Sequence, residues 1–117
     1  MTEPQIQDAI RLALGKLDDL VLWRNNVGVA QHWNGRDVET VKYGLANGSA
    51  DLVGILRVTP TAGRFVALEV KTETGRVSPE QTKWLALVRK MGGFACVVRS
   101  VDEALVAIER ARGGASE

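Results

Sequence analysis

Asp51, Glu69 and Lys71 are the residues of this chain whose types and spacing could do chemistry together. Glu69 and Lys71 stand two apart inside "RFVALEVK", an otherwise apolar run that reads as a strand. Side chains two apart in a strand leave the same face, so a carboxylate and an ammonium project together at the strand's far end. Asp51 opens a second apolar run, "DLVGILRV", and "TPTAG" joins the two runs. That linker is turn chemistry, which makes the pair an antiparallel hairpin. The start of one strand then lies beside the end of the other, and the three groups converge from distant points in the sequence. Two carboxylates a few ångströms apart repel, and both stay ionised only with a cation between them. All-oxygen ligation suits Mg²⁺ or Mn²⁺. Lys71 adds a positive charge that can orient or help deprotonate an attacking water, or steady charge building on a phosphate. The plainer alternative is a surface ion pair on an edge strand, since E-x-K alone is a weak pattern. Asp51 after "GS" at the head of the neighbouring strand, with apolar residues on both sides, weighs against it.

The elements that must hold these residues can be read from periodicity and capping. Thr2 with Gln5 forms a capping box, and Ile6, Ile10, Ala13, Leu14 and Leu17 recur at helical spacing, which predicts a helix over residues 3–17. Glu3 falls on the inward side of that helix. "LVLWRN" is a short strand, and the Gly- and Asn-rich residues 26–50 read as a long loop or irregular hairpin. The two strands of the Asp51–Lys71 hairpin are nearly continuous in apolar residues, which predicts cover on both faces. Ser78 and Pro79 start a second helix with Trp84, Leu85, Val88 and Met91 as its stripe. "FACVVRS" is a further strand, and "VDEALVAIERAR" a last helix. The expected fold class is α/β: an α-β-β-β-α-β-α order with a mixed four-stranded sheet flanked by helices.

Length and composition bound the rest. The 117 residues suit one domain over 1–117, with 112–117 as a flexible tail. Net charge is +1, so any polyanion surface must come from local clustering rather than from bulk charge. The one cysteine, Cys96, excludes an internal disulfide, reads as a buried thiol and fits a reducing cytoplasm. No apolar run is long enough for a membrane span, and "MTEPQIQDAI" lacks the basic and apolar regions of a leader. His32 has no partner at metal-ligand spacing, which argues against zinc. Arg24, Asn25 and Asn26, with Lys42, Tyr43 and Ser49, could line a phosphate-binding rim, the alternative being an ordinary polar loop. Arg64, Lys83, Arg89 and Lys90 read as solvated charges. Trp23, Trp33 and Trp84 read as core or interface residues rather than base-stacking platforms.

"GSADLVGIL", "RFVALEVKTETGRVSPEQTKWL" and "GGFACVVRSVDEAL" together resemble the virus-type replication-repair nuclease (VRR-NUC) family of the restriction-endonuclease-like PD-(D/E)xK superfamily. The likeness runs from about residue 3 to about residue 106, with Ala50 where the usual proline precedes the aspartate. It implies a restriction-endonuclease-like core. It implies that Asp51 and Glu69 bind metal, that the Val70 carbonyl supplies a further ligand, and that Lys71 is the catalytic lysine. Gln81 matches a glutamine that braces the site, although three residues after Ser78 it also completes a capping box. Glu3 matches an acidic residue of the first helix that can reach the site, although a first-turn acid is also favoured by the helix dipole.

The expected function is therefore a Mg²⁺- or Mn²⁺-dependent DNA endonuclease in the cytoplasm of a bacterial or phage-infected cell. Short members resemble proteins acting on four-way (Holliday) junctions and other branched DNA, which suits a C₂ homodimer with two sites. The final helix and exposed apolar residues of the long loop are the expected interface elements. Two alternatives stand beside this reading. One is a non-cleaving DNA-binding or protein-interaction module on a nuclease fold. The other is a nuclease for flap, single-stranded or linear duplex DNA.

Overall fold

Each of the three helices begins where a hydroxyl residue meets an amphipathic run. In the computed structural model, which describes residues 1–117, α1 (Glu3–Leu14) is capped by Thr2, α2 (Pro79–Lys90) by Ser78 and α3 (Val101–Arg112) by Ser100. The first two caps are full capping boxes closed by Gln5 and Gln81, so two otherwise orphaned backbone donors are satisfied at each. The first helix stops at Leu14, before the predicted end at 17, because Gly15 closes it. Met91, expected on the α2 stripe, instead caps that helix and is exposed. No helix is long and apolar enough to cross a membrane.

The strands are β1 (Leu20–Arg24), β2 (Gly28–Trp33), β3 (Val38–Tyr43), β4 (Leu52–Thr59), β5 (Ala62–Val70) and β6 (Phe94–Val98). A four-stranded sheet has the order β1-β4-β5-β6. The first two pairings are antiparallel and β5–β6 is parallel, so the sheet is mixed as expected. Gly54 on β4 faces Leu22 on β1, and a Cβ there would sit 2.0 Å from the Val21 carbonyl oxygen; only glycine lets these two strands pair.

One sheet face packs on α1 and α3 around Ile10, Leu14, Leu52, Leu56, Leu68, Phe94 and Ile108. The other packs on α2 around Ala50, Ala67, Leu85, Val88 and Ala95. Cover on both faces holds only for the end of β4–β5 nearest the Asp51–Lys71 cluster. Further along the same strands, Ile55 and Phe65 are exposed on that face, because α2 is too short to cover them.

Residues 26–50, expected as a long loop or irregular hairpin, form a projecting hairpin arm. β2 and β3 pair only with each other, and every residue from 29 to 47 is exposed. The Asn34 side chain accepts hydrogen bonds from the Arg36 and Asp37 amides to close the turn, and Gly35 takes φ 91° there. The arm helps stretch the molecule to 53 Å along its longest axis.

The C-terminal segment makes hydrogen bonds back to the rest of the chain. Arg64 donates to the carbonyls of Gly92, Gly93, Ala111 and Ala115, and the Ala95 amide donates to Ser116. Arg89 donates to the Ala95 carbonyl and pairs with the Glu117 carboxylate at 3.2 Å. Arg64 and Arg89 are therefore not plain solvated charges. Their partners lie on other elements, out of reach of a reading of local sequence.

Candidate active site

The three residues singled out by spacing meet at one end of the sheet, on the α2 face. Leu52 pairs with Leu68, so extending the register by one residue sets Asp51 opposite Glu69. Glu69 is 2% exposed and Lys71 8% exposed, both far more buried than such residues usually are. The Lys71 Nζ lies 3.7 Å from Glu69 Oε1. Gln81 Nε2 donates to that same oxygen at 3.0 Å while its Oε1 accepts the Ser78 amide at 2.9 Å. Capping and bracing are thus one side chain's two ends, and the two readings of Gln81 coexist.

Asp51 is held by its Oδ2, which accepts the Val70 amide at 2.8 Å. Within a strand a residue's N–H and C=O leave the same edge, so the Val70 carbonyl emerges on the Asp51 side as well. Burial chiefly, and then the Asp51 charge, push Glu69 from its ordinary 4.5 up to about 8; Asp51 is also close enough to share a proton with it, and Lys71 opposes the rise. Glu3, half-buried at the start of α1, adds a smaller unfavourable charge.

Glu69 Oε2 is buried and has no hydrogen-bond partner. An orphaned carboxylate oxygen beside a second carboxylate suits a cation as its partner, because burial without compensation is costly. The donor set is sparse: no three acidic, histidine or cysteine side chains form a cluster able to hold a metal. Two carboxylates and a backbone carbonyl leave open positions for water and substrate oxygens, which is how Mg²⁺ is usually bound. The residues present fit such an ion.

The outer residues divide into two groups. Asn25 and Ser49 have their polar atoms engaged. Asn25 Nδ2 donates to Ser49 Oγ and to the Ala50 carbonyl, both at 2.8 Å, and the Ser49 hydroxyl donates to the Ala46 carbonyl. Asn25 Oδ1 accepts the Leu45 amide, and the Asn25 amide donates to the Asp51 carbonyl. This clamp fixes the segment that delivers Asp51. Gly48 makes it possible: it takes φ 81°, and a Cβ there would sit 2.7 Å from the Glu80 carbonyl at the start of α2. Arg24, Lys42 and Tyr43 are exposed instead. Arg24 pairs with Leu52 and so stands beside Asp51 at the same sheet end, whereas Lys42 and Tyr43 lie at the base of the arm. Asn25→Ala strands several of these partners at once, so we expect a loss of about 2 kcal/mol of folding stability, read from denaturant unfolding.

Spacing gave no hint of Arg99. Its Nη1 donates to the carbonyls of Thr72 and Gly75 at 2.6 and 2.7 Å, and more weakly to Glu73. It thereby pins the loop between Lys71 and α2. No local pattern marks an arginine whose partners are three backbone carbonyls on another loop. Cys96 is buried, and burial raises its thiol to about 11, so it is inert as expected.

The sequence model of the family described as VRR-NUC domain matches residues 2–102, a span that includes every residue of this site. No curated protein matches the chain.

Proposed function

Because the chain belongs to the VRR-NUC domain family, a family of nucleases, we propose that it is a divalent-metal-dependent endonuclease for four-way or otherwise branched DNA, acting as a homodimer. The observation that supports this most is the buried pair of converging carboxylates with one unpartnered oxygen and a lysine at 3.7 Å. In this reading Asp51, Glu69 and the Val70 carbonyl would hold Mg²⁺ or Mn²⁺. Such an ion supplies Lewis-acid polarisation of a phosphate oxygen and a lowered pKa for a water.

The chain's own residues supply the remainder. Lys71, whose Nζ lies 3.7 Å from Glu69 Oε1, faces the scissile phosphate and offsets charge that builds on it in the transition state. Gln81 keeps the Glu69 carboxylate from turning away, and the Val70 amide does the same for Asp51. Glu3 would accept a hydrogen bond from water at the site's edge. Arg24, Lys42 and Tyr43 offer charge and a ring face to the DNA backbone. A homodimer gives the two equivalent strands of a four-way junction one site each. A lone buried thiol is suited to the cytoplasm of a bacterial or phage-infected cell.

The test is cleavage of an end-labelled four-way junction beside flap, single-stranded and linear duplex DNA, with Mg²⁺ or Mn²⁺ and with a chelator. Paired nicks in the junction that need the metal are expected. Binding without cutting would favour the non-cleaving module, and faster cutting of the flap, single strand or linear duplex would replace the substrate class.

A further inference from the structure

Lys71 stands where a rigid strand gives way to a turn with few anchors. Its amide donates to the Val98 carbonyl at 3.1 Å, which adds one residue to the parallel pairing of β5 with β6. Residues 72–77 then belong to no helix or strand, and none of them is buried. The one backbone hydrogen bond inside this turn runs from the Gly75 amide to the Thr72 carbonyl at 3.2 Å. Every hydrogen bond from residues 72–77 to another part of the chain is made by a single guanidinium, that of Arg99.

Arg99 follows β6, and its own backbone is fixed, because its amide donates to Glu103 Oε2 at 2.6 Å in the first turn of α3. Its grip on the Gly75 carbonyl, at 2.7 Å, holds that glycine against the root of the lysine side chain. A Cβ on Gly75 would lie 3.4 Å from Lys71 Cβ and 3.1 Å from Thr72 Oγ1, so the Gly75 backbone is a wall beside the first bond of Lys71. Behind the turn lies a cavity of about 420 Å³ lined by Ile6, Ala9, Thr72, Thr74, Arg99 and Val101. Without the guanidinium the turn has room to move into that space and away from Lys71.

We propose that Arg99 is a positioning residue for cleavage: by holding the turn 72–75 against Lys71, it aims the ammonium at the reacting phosphate. The proposal rests on the nuclease reading above and adds the residue through which Lys71 acts. The supports of the other site residues separate this role from a general tie between elements. Asp51 is held by the Val70 amide and Glu69 by Gln81, which the Ser78 capping box and the packing of Leu85 and Val88 keep in place. Neither carboxylate depends on Arg99 for a hydrogen bond. The Lys71 ammonium makes no hydrogen bond, only the 3.7 Å ion pair with Glu69. A flexible four-carbon stem with so little to fix its tip is confined by the walls around it. A shift of about 1 Å in such a group costs on the order of a hundredfold in rate.

A double-mutant cycle tests this. Arg99→Ala should cleave DNA about a hundredfold more slowly in a single turnover, with its affinities for DNA and for Mn²⁺ unchanged. Placed on Lys71→Ala, the same change should slow the remaining cleavage by about twofold at most, because no ammonium is left to aim. Hydrogen exchange of the Lys71 and Gly75 amides should quicken in Arg99→Ala, while the amides within β5 stay as protected as in the natural chain. If the alanine variant misfolds, the milder Arg99→Gln should show the same pattern with a loss of about tenfold. Cleavage at the natural rate, an undiminished loss on the Lys71→Ala background, a loss carried by weaker DNA or Mn²⁺ binding, or unchanged exchange at Lys71 and Gly75 would each overturn the proposal. The exchange measurement needs neither DNA nor metal, so it decides whether Arg99 holds the turn even in a chain that cuts nothing. A natural chain that cut nothing would sink the nuclease reading instead.

Discussion

Asp51→Asn is expected to cleave DNA about a thousandfold more slowly than the natural chain, since losing several kcal/mol of transition-state stabilisation costs tenfold per 1.36 kcal/mol. The change preserves shape. An asparagine oxygen can still accept the Val70 amide that Asp51 Oδ2 now accepts at 2.8 Å, so the segment stays anchored and the fold persists. What disappears is one of two negative charges available to a cation, and no third acidic side chain clusters there to replace it. Single-turnover cleavage under saturating protein, with calorimetric titration of Mn²⁺ into both proteins, checks the prediction. Metal affinity and rate should fall together. Undiminished cleavage with undiminished Mn²⁺ binding would remove Asp51 from the site.

The second large effect concerns stability without metal. Glu69 is pushed up to about 8, from an ordinary value of 4.5, first by burial and then by Asp51. Between those two values the folded chain keeps a proton that the unfolded chain has released. Stability therefore falls as pH rises through that window and levels off above about 8. Glutamine cannot ionise and keeps the amide-to-oxygen bracing geometry open, so Glu69→Gln lacks this fall. In chelator near pH 9 the variant should be more stable than the natural chain by a few kcal/mol, and near pH 4 the two should converge. The Lys71 ammonium loses its partner in the variant, which reduces the gain but does not reverse it, because burial outweighs the Lys71 attraction in setting the shift. Melting temperatures across that range, with and without Mg²⁺, measure this. Added Mg²⁺ should raise the natural chain's melting temperature most at high pH and leave the variant's nearly unchanged, since only the natural chain offers a buried carboxylate to the ion. Equal pH profiles would mean that Glu69 is not the strained acid.

The site's central trio was legible because its logic is local. Alternation along β5 puts Glu69 and Lys71 on one face, and the two-residue turn Pro60–Thr61 returns β5 beside β4, so antiparallel pairing alone brings Asp51 across. The capping boxes at Thr2 and Ser78 were readable for the same reason, since each spans three residues. The arm was only half readable. Its Asn34-Gly35 turn is a local signal, but Val29, Trp33, Val38 and Val41 give no sign in sequence of whether they are buried. Continuous apolar residues in β4 and β5 predicted cover on both faces, and the prediction failed beyond Ile55 because the length of α2 decides it.

The sequence by itself determined the three helices, the four strands of the main sheet, the α/β class and the convergence of Asp51, Glu69 and Lys71. All of these follow from periodicity, caps and short-range pairing, whose energies act within one or two elements. Tertiary structure alone decided that Asn25 and Ser49 clamp the Asp51 segment, that Arg99 pins the loop after Lys71, and that Arg64 and Arg89 hold the C-terminal segment. It also decided that half of a sheet face stands bare. Such contacts join residues far apart in the chain, most of them between a side chain and a backbone carbonyl. Every residue carries a carbonyl, so no residue type records in advance which one an arginine or asparagine will find.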